Sequence, residues 1–281
     1  MSVLVGRSAR RRTTMSKVGW SALAWFVAIV FFFPVLWMAL EGLKTEVQAA
    51  SIPPTILFMP TLSAIQEVLS RDFPPYLINS ATATLGSTLL VLVLGLPAAY
   101  ALSIRPVKRT RDVLFFFIST RFLPFAASLV PLYILARNLH LLDNIMALVI
   151  IYTTINLPLG IWLLRSFMLE LPHELVEAAR VDGANMRHEL TRIVIPLITP
   201  GIAATSLICL IFSWNEFFYA VNFTSSIAAT SPIFLVGFIS GRGLFYAKLA
   251  AAATLASLPV LLAGWVAQKQ LIRGLTMGAV K

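Results

Sequence analysis

Apolar residues along this chain run in long unbroken stretches, and the polar residues gather between them. Six stretches stand out: Val18–Leu40, Asn79–Ile104, Val113–Ala136, Asn144–Leu164, Ile198–Phe223 and Leu249–Gln268. Each can cross a hydrocarbon core of about 30 Å at about 1.5 Å per helical residue. Lipid offers no partner to a bare N–H or C=O, so the spans are expected as helices, which satisfy their own backbone. The pattern predicts an all-α polytopic membrane protein with six transmembrane helices.

The polar connections refine this. Residues 41–78 are rich in proline ("SIPPTILFMP", "DFPPY") and are expected as an ordered external loop with one short helix near Leu62–Leu69. Residues 222–241 carry no charge and could form a seventh span. The hydroxyl-rich run "TSSIAATSPI" favours a re-entrant or outer-face segment instead. The expected layout is a basic segment 1–17, a single membrane domain 18–270 and a tail 271–281. No internal repeat is evident.

Lys and Arg concentrate in alternate connections. They are Arg7, Arg10, Arg11, Arg12 and Lys17, then Arg105, Lys108, Arg109 and Arg111, then Arg165, Arg180, Arg187 and Arg192, and finally Lys269, Arg273 and Lys281. Far fewer lie on the other side (Lys44, Arg71, Arg137, Arg242, Lys248). The positive-inside rule then puts both termini and the loop 165–197 in the cytoplasm.

Composition agrees. Of 281 residues, 58% are hydrophobic and 12% charged, about half the charged share of a soluble domain. The net charge of +10 sits beside apolar spans, which points to a lipid surface and away from nucleic acid. Although Arg10-Arg11-Arg12 could be taken for an export signal, the apolar run after it is span-length and has no small-residue cleavage site, so it reads as a retained helix. Cys209, the one cysteine, lies in an apolar run and reads as a small core residue. His140, His173 and His188 lie in loops at no metal-ligand spacing, and no nucleophile–base set suggests an enzyme or a bound cofactor.

One cytoplasmic stretch stands apart, "ELVEAARVDGANM" at 174–186. Pro172 suits a first helical turn, and Glu174 and Glu177 early with Arg180 late suit the helix dipole. Leu175, Ala178 and Ala179 make a narrow apolar stripe, and Gly183 suits a left-handed helix end. A second short helix is expected from Ala184 to about Val194, with Pro196 opening the next span. Together these predict a compact helical elbow, either packed on its own membrane domain or offered to a partner.

The stretch resembles the EAA loop of binding-protein-dependent ABC importers, with Glu177-Ala178-Ala179, Gly183, Ile193 and Pro196 in place and Ile195 where that family usually has Leu. The resemblance extends from Leu96 onward through "GLPAAYALS", "PLYIL", "SWNEFFYA" and the terminal "GLTMGAVK". These are similar to carbohydrate-type permeases, above all to the second membrane subunit of maltose/trehalose-type systems. It implies a non-catalytic subunit of a prokaryotic plasma or inner membrane. Its elbow would seat in a separate ATPase chain through Glu174, Glu177, Ala178, Ala179, Asp182, Gly183 and Ala184. It also implies a second homologous permease subunit, an extracytoplasmic solute-binding protein and a small carbohydrate as partners. No G-x-x-x-x-G-K-[ST] loop is present, so ATP would be bound by the partner.

Two charges fall within spans, Arg121 and Glu216, and each needs a partner or a watery cavity; they could pair with each other. Around the second, Trp214, Asn215, Glu216 and Tyr219 are the candidates for sugar contact, because amide and carboxylate suit hydroxyls and aromatic faces suit sugar rings. Asn156 and Arg121 are weaker candidates. The rival reading is an ion-coupled secondary transporter with Glu216 carrying the proton, which leaves the elbow without a role.

Overall fold

The computed structural model describes residues 3–70, 73–105, 107–122, 125–240 and 243–277. In chain order these form α1 (Val3–Glu41), α2 (Glu46–Ala49), α3 (Ser63–Ser70), α4 (Phe73–Ser103), α5 (Thr110–Thr120), α6 (Phe125–Asn138), α7 (Ile145–Leu169), α8 (His173–Val181) and α9 (Met186–His188). A π-helical turn, Glu189–Val194, leads into α10 (Ile195–Leu197), α11 (Thr199–Trp214), α12 (Phe218–Phe223) and α13 (Ser231–Val236). A two-residue hairpin, β1 (Ile239–Ser240) with β2 (Gly243–Leu244), precedes α14 (Tyr246–Met277).

Four helices among the described residues are long and apolar enough to cross a membrane: Val18–Glu41 of α1, α4, α7 and Tyr246–Lys269 of α14. A fifth candidate is α11, taken with the segment Met186–Leu197 that meets it at 79°. The other expected spans are interrupted. The third is divided into α5, which ends at Thr120, and α6, which begins at Phe125. The fifth stops at Trp214 and resumes only at Phe218. Span-length helix is also absent from the described residues of 222–241, where α13 is six residues long, about 9 Å.

Boundaries moved for physical reasons. Helix α4 starts at Phe73, earlier than Asn79, and holds Pro74 and Pro75 in its first turn, where a missing N–H costs nothing. Helix α3 falls where the loop helix was expected, and the capping box of Thr45 and Gln48 adds α2 before it.

Contacts divide the chain into two compact units. The first comprises the described residues of Met1–Arg71 with Phe238–Leu255. In it the Lys44 ammonium is enclosed, donating to Glu41 Oε1 at 2.7 Å and lying 4.7 Å from the centre of the Trp37 ring. The Glu46 carboxylate accepts from the N–H groups of Ala247 and Lys248, placing negative charge at the positive end of α14.

The second unit comprises the described residues of Asp72–Gly237 with Ala256–Lys281. Its centre is the packing of α4 on α7, which carries two apolar clusters. One gathers Ala83, Leu148, Tyr152, Tyr219 and Phe223; the other gathers Tyr100, Ile161, Leu164, Met168, Val194 and Ile198. The helices lie close together at Gly160, where a Cβ would lie 2.5 Å from Val91 Cγ1. Buried polar groups join α4, α7 and α11: the Ser87 and Ser213 hydroxyls lie 3.1 Å apart, and Asn156 Nδ2 donates to Ser213 Oγ at 2.9 Å. Small and hydroxyl-bearing residues of this kind bind helices together where lipid removes the hydrophobic incentive.

Candidate functional site

The elbow is built from the sequence upward. Helix α8 ends in a Schellman turn: Gly183 adopts φ +83°, its N–H bonds Arg180 O at 3.1 Å, and Ala184 N–H bonds Ala179 O at 2.9 Å. Asn185 then caps α9, its Oδ1 accepting from His188 N–H at 2.9 Å. The chain passes into the π turn just before Pro196, which cannot donate and crowds the carbonyl four residues back.

Details of the elbow differ from the sequence reading. Pro172 is the N-cap residue of α8 and not part of its first turn. Val176 and Ala179 face inward, whereas Leu175 and Ala178 are exposed, so the buried stripe lies one helical step round from the expected one. The second helix begins at Met186, after its cap, and turns into π geometry at Glu189.

Of the residues expected to dock a partner, Glu174, Glu177, Ala178, Asp182 and Gly183 are exposed, Ala184 is half-buried and Ala179 is buried. Ala179, Asp182, Gly183, Ala184, His188 and Ile193 line a hollow of about 260 Å³ on this surface.

The elbow holds a group the sequence reading missed. Glu189 is fully enclosed. Its carboxylate accepts from Arg180 Nε at 3.1 Å and Nη2 at 2.9 Å, and from Arg105 Nη2 at 3.2 Å. Burial pushes this carboxyl up, but the guanidinium of Arg180, then the nearby Tyr100 hydroxyl and then the guanidinium of Arg105 outweigh it and hold the group at about 2. Nothing in the residue spacing marks Glu189, because Arg105 is 84 positions away.

Within the membrane portion a cavity of about 610 Å³ opens among α4, α5, α6, α7 and α12. Leu90, Leu94, Phe116, Phe117, Leu132 and Ile150 supply apolar wall, and Thr120, Ser128, Thr153, Thr154 and Tyr219 supply hydroxyls. Arg121 also lines it, donating Nη1 to Ile155 O at 2.9 Å with its guanidinium 5.5 Å from the Phe212 ring centre.

The four sugar-contact candidates separate. Tyr219 lines the cavity, its hydroxyl 2.7 Å from that of Ser128. Trp214 is buried, its indole N–H donating to Ala256 O at 3.1 Å. Asn215 is exposed, its amide donating to Ile211 O at 2.8 Å.

Glu216 sits at the break between α11 and α12, and both its oxygens accept backbone N–H groups, from Tyr219 at 3.0 and 3.1 Å and from Ala220 at 3.1 Å. It caps the helix that restarts after it. No ion pair among the described residues joins Arg121 to Glu216. Asn156 lies in the buried helix contact, 2% exposed, and does not line the cavity.

Outside the spans, Asp143 clasps the loop after α12. Its carboxylate accepts from the N–H groups of Ser225, Ser226, Ile227 and Ala228 and from two serine hydroxyls. Burial raises this carboxyl, but the ring of amides holds it well below the usual carboxylate range.

Residues 91–276, which carry α7, the elbow, the break at Glu216 and most of the cavity wall, match the family of binding-protein-dependent transport system inner membrane components. The chain belongs to that family. It is a multi-pass membrane permease, as its span-length helices require. It is 38% identical over 275 residues to a probable ABC transporter permease of Sinorhizobium fredii, covering 98% of this chain and 99% of that one. A trehalose transport system permease of Mycobacterium tuberculosis is 30% identical over 270 residues, covering 93% and 97%. Among solved structures, a chain of a bacterial ABC transporter involved in the import of the acidic polysaccharide alginate shares the fold at TM-score 0.72 and 23% identity, over 93% of this chain and 98% of that one. A family of ABC permeases does not favour the secondary-transporter reading, and the Glu216 carboxylate is occupied by backbone amides.

Proposed function

We propose that this permease forms one half of the translocation path of an ABC importer for a carbohydrate. A second, homologous membrane subunit supplies the other half, and an extracytoplasmic solute-binding protein delivers the sugar. Separate ATPase subunits bind and hydrolyse ATP, and this chain is not catalytic. The polypeptide crosses the membrane six times, through α1, α4, α5 with α6, α7, α11 with α12, and α14, with both termini and the elbow in the cytoplasm. That orientation follows the distribution of Lys and Arg.

The observation that carries this reading is the elbow. A short helix with an exposed acidic face ends in a glycine turn beside a shallow hollow, in the pattern that the family uses between membrane helices. Glu174, Glu177, Ala178, Asp182 and Gly183 meet the ATPase, with Ala179 and Ala184 flooring the contact. On the path itself Tyr219 and Ser128 offer hydroxyls to the sugar, Asn215 an amide, and Trp214 and Glu216 hold the broken helix in shape. The trehalose permease of Mycobacterium tuberculosis supports a sugar as cargo.

Closure of an ATPase pair would move the elbow as a rigid body and tilt the helices attached to it. The test is uptake of radiolabelled trehalose, maltose and diacetylchitobiose into vesicles carrying the assembled complex and its binding protein. Uptake should require internal ATP and survive collapse of the proton gradient. Uptake that follows the gradient and ignores ATP overturns the reading.

A further inference from the structure

Three elements converge on one carboxylate. Glu189 opens the π turn, Arg180 belongs to the last turn of α8, and Arg105 lies just past the end of α4. The carboxylate has no exposed surface, while the Arg180 and Arg105 side chains are 37% and 43% exposed. Arg180 holds it in a two-toothed grip and Arg105 shares Oε2 from the side of α4. The same end of α4 is fastened a second time, by Arg165 of α7, whose Nε donates to Leu102 O at 3.0 Å.

Helix α4 runs from this junction to the cavity, where Leu90 and Leu94 form part of the wall. A displacement of α8 therefore has two ways into the membrane. One follows the chain through the π turn and α10 into α11. The other crosses sideways through Glu189 and Arg105 into α4. Apolar packing resists separation but permits sliding, whereas directional charged hydrogen bonds fix register.

We propose that Glu189 is a positioning residue for transport: with Arg180 and Arg105 it makes the elbow and the adjoining end of α4 move as one body, so that a stroke on α8 turns the cavity wall. This rests on the elbow being the seat of an ATPase. Arg105 is a lever end in this scheme, and Glu189 is the pin.

The experiment uses the assembled importer in lipid vesicles with Cys209→Ala, Leu94→Cys and Leu132→Cys, spin-labelled to read the cavity mouth before and after trapping with ATP and vanadate. Glu189→Gln should keep its ATPase partner and basal hydrolysis, while the nucleotide-driven distance change shrinks about fivefold or more. Arg105→Gln should behave alike, and Glu189→Asp should recover most of the change. A full distance change in Glu189→Gln overturns the proposal, and so does loss of the ATPase from the complex, which would place Glu189 in docking.

Hydrogen exchange on the purified chain separates this from failure of the functional reading. If no ATPase accompanies the wild-type protein, the function fails, yet the pin is still read. In Glu189→Gln, amides of 100–104 and 186–190 should lose protection together. Loss confined to 186–190 overturns the coupling.

Discussion

Arg180 and Glu189 face each other across the turn that Gly183 closes, nine positions apart and joined by hydrogen bonds of 2.9 and 3.1 Å. The planar guanidinium meets the planar carboxylate edge to edge, which makes the contact directional as well as strong. It closes α8, the glycine turn and α9 into a ring. A segment with its outer face exposed thereby keeps one shape, as the proposed coupling role requires.

Replacing Gly183 by valine tests that shape. The φ of +83° is costly for any residue with a Cβ, roughly 1–2 kcal/mol and more when the side chain is β-branched, although nothing lies within 4 Å to clash. The variant should still insert in the membrane but retain less ATPase on affinity purification. Gly183→Asn, which tolerates the left-handed region, should retain more.

Acid should loosen the elbow only at low pH. The Glu189 carboxyl is held at about 2, below an ordinary glutamate value of roughly 4.3. A lowered value in the folded state contributes stability that is complete above the ordinary value and fades as pH falls through about 2. Amide protection at 186–190 should be level from pH 8 to 5 and decline below about pH 4; Glu189→Gln should lose that decline.

Asp143 gives a parallel case at the other side of the second unit. Its carboxyl is also held low, so its clasp on residues 225–228 stabilises above the ordinary aspartate range and is lost on acidification. Asp143→Ala should raise hydrogen exchange at Ser226, Ile227 and Ala228 by about tenfold, the loss of charged hydrogen bonds partly made up by water. Exchange at the elbow should stay unchanged.

Gly160 lies within the α4–α7 contact, where there is no room for a side chain. Gly160→Ala places a methyl 2.5 Å from Val91 Cγ1, and overpacking of this order costs typically about 1–3 kcal/mol. Thermal unfolding in detergent should come earlier. Val91→Ala added to it should restore most of the loss, a pairing that an unrelated defect would not show.

The cavity prediction concerns Tyr219. Removing its hydroxyl with Tyr219→Phe breaks the 2.7 Å contact with Ser128 and should cost about 1 kcal/mol or less in stability. Uptake should change by more than that through its apparent KM, measured in the vesicle assay.

Much of this was legible in the residues. The glycine turn of the elbow was readable because a left-handed helix end admits few side chains, and the EAA pattern surrounds it. Hydropathy located apolar stretches but could not see whether the hydrogen-bond ladder continued through them. It passed over the breaks at Arg121 and Asn215, where average apolarity stays high. Glu216 was read as a charge stranded in a helix, whereas the helix stops there and supplies it with amides. Glu189 was invisible for another reason: its partners come from distant parts of the chain, and only packing of α4 beside the elbow brings them together.

The π turn at Glu189–Val194 sets a condition on the chain that no substitution would reveal. Each peptide there reaches five residues back, so the coil accommodates one more residue than an α turn. Adding a further residue between Gly183 and Pro196 would exceed what the wide turn accommodates and rotate all that follows by about 100°. Helix α11 would then present another side to α4 and α7, and Ser213 would swing away from Ser87 and Asn156. The length of this short stretch is thus constrained along with its sequence, and relatives should tolerate almost no insertions in it.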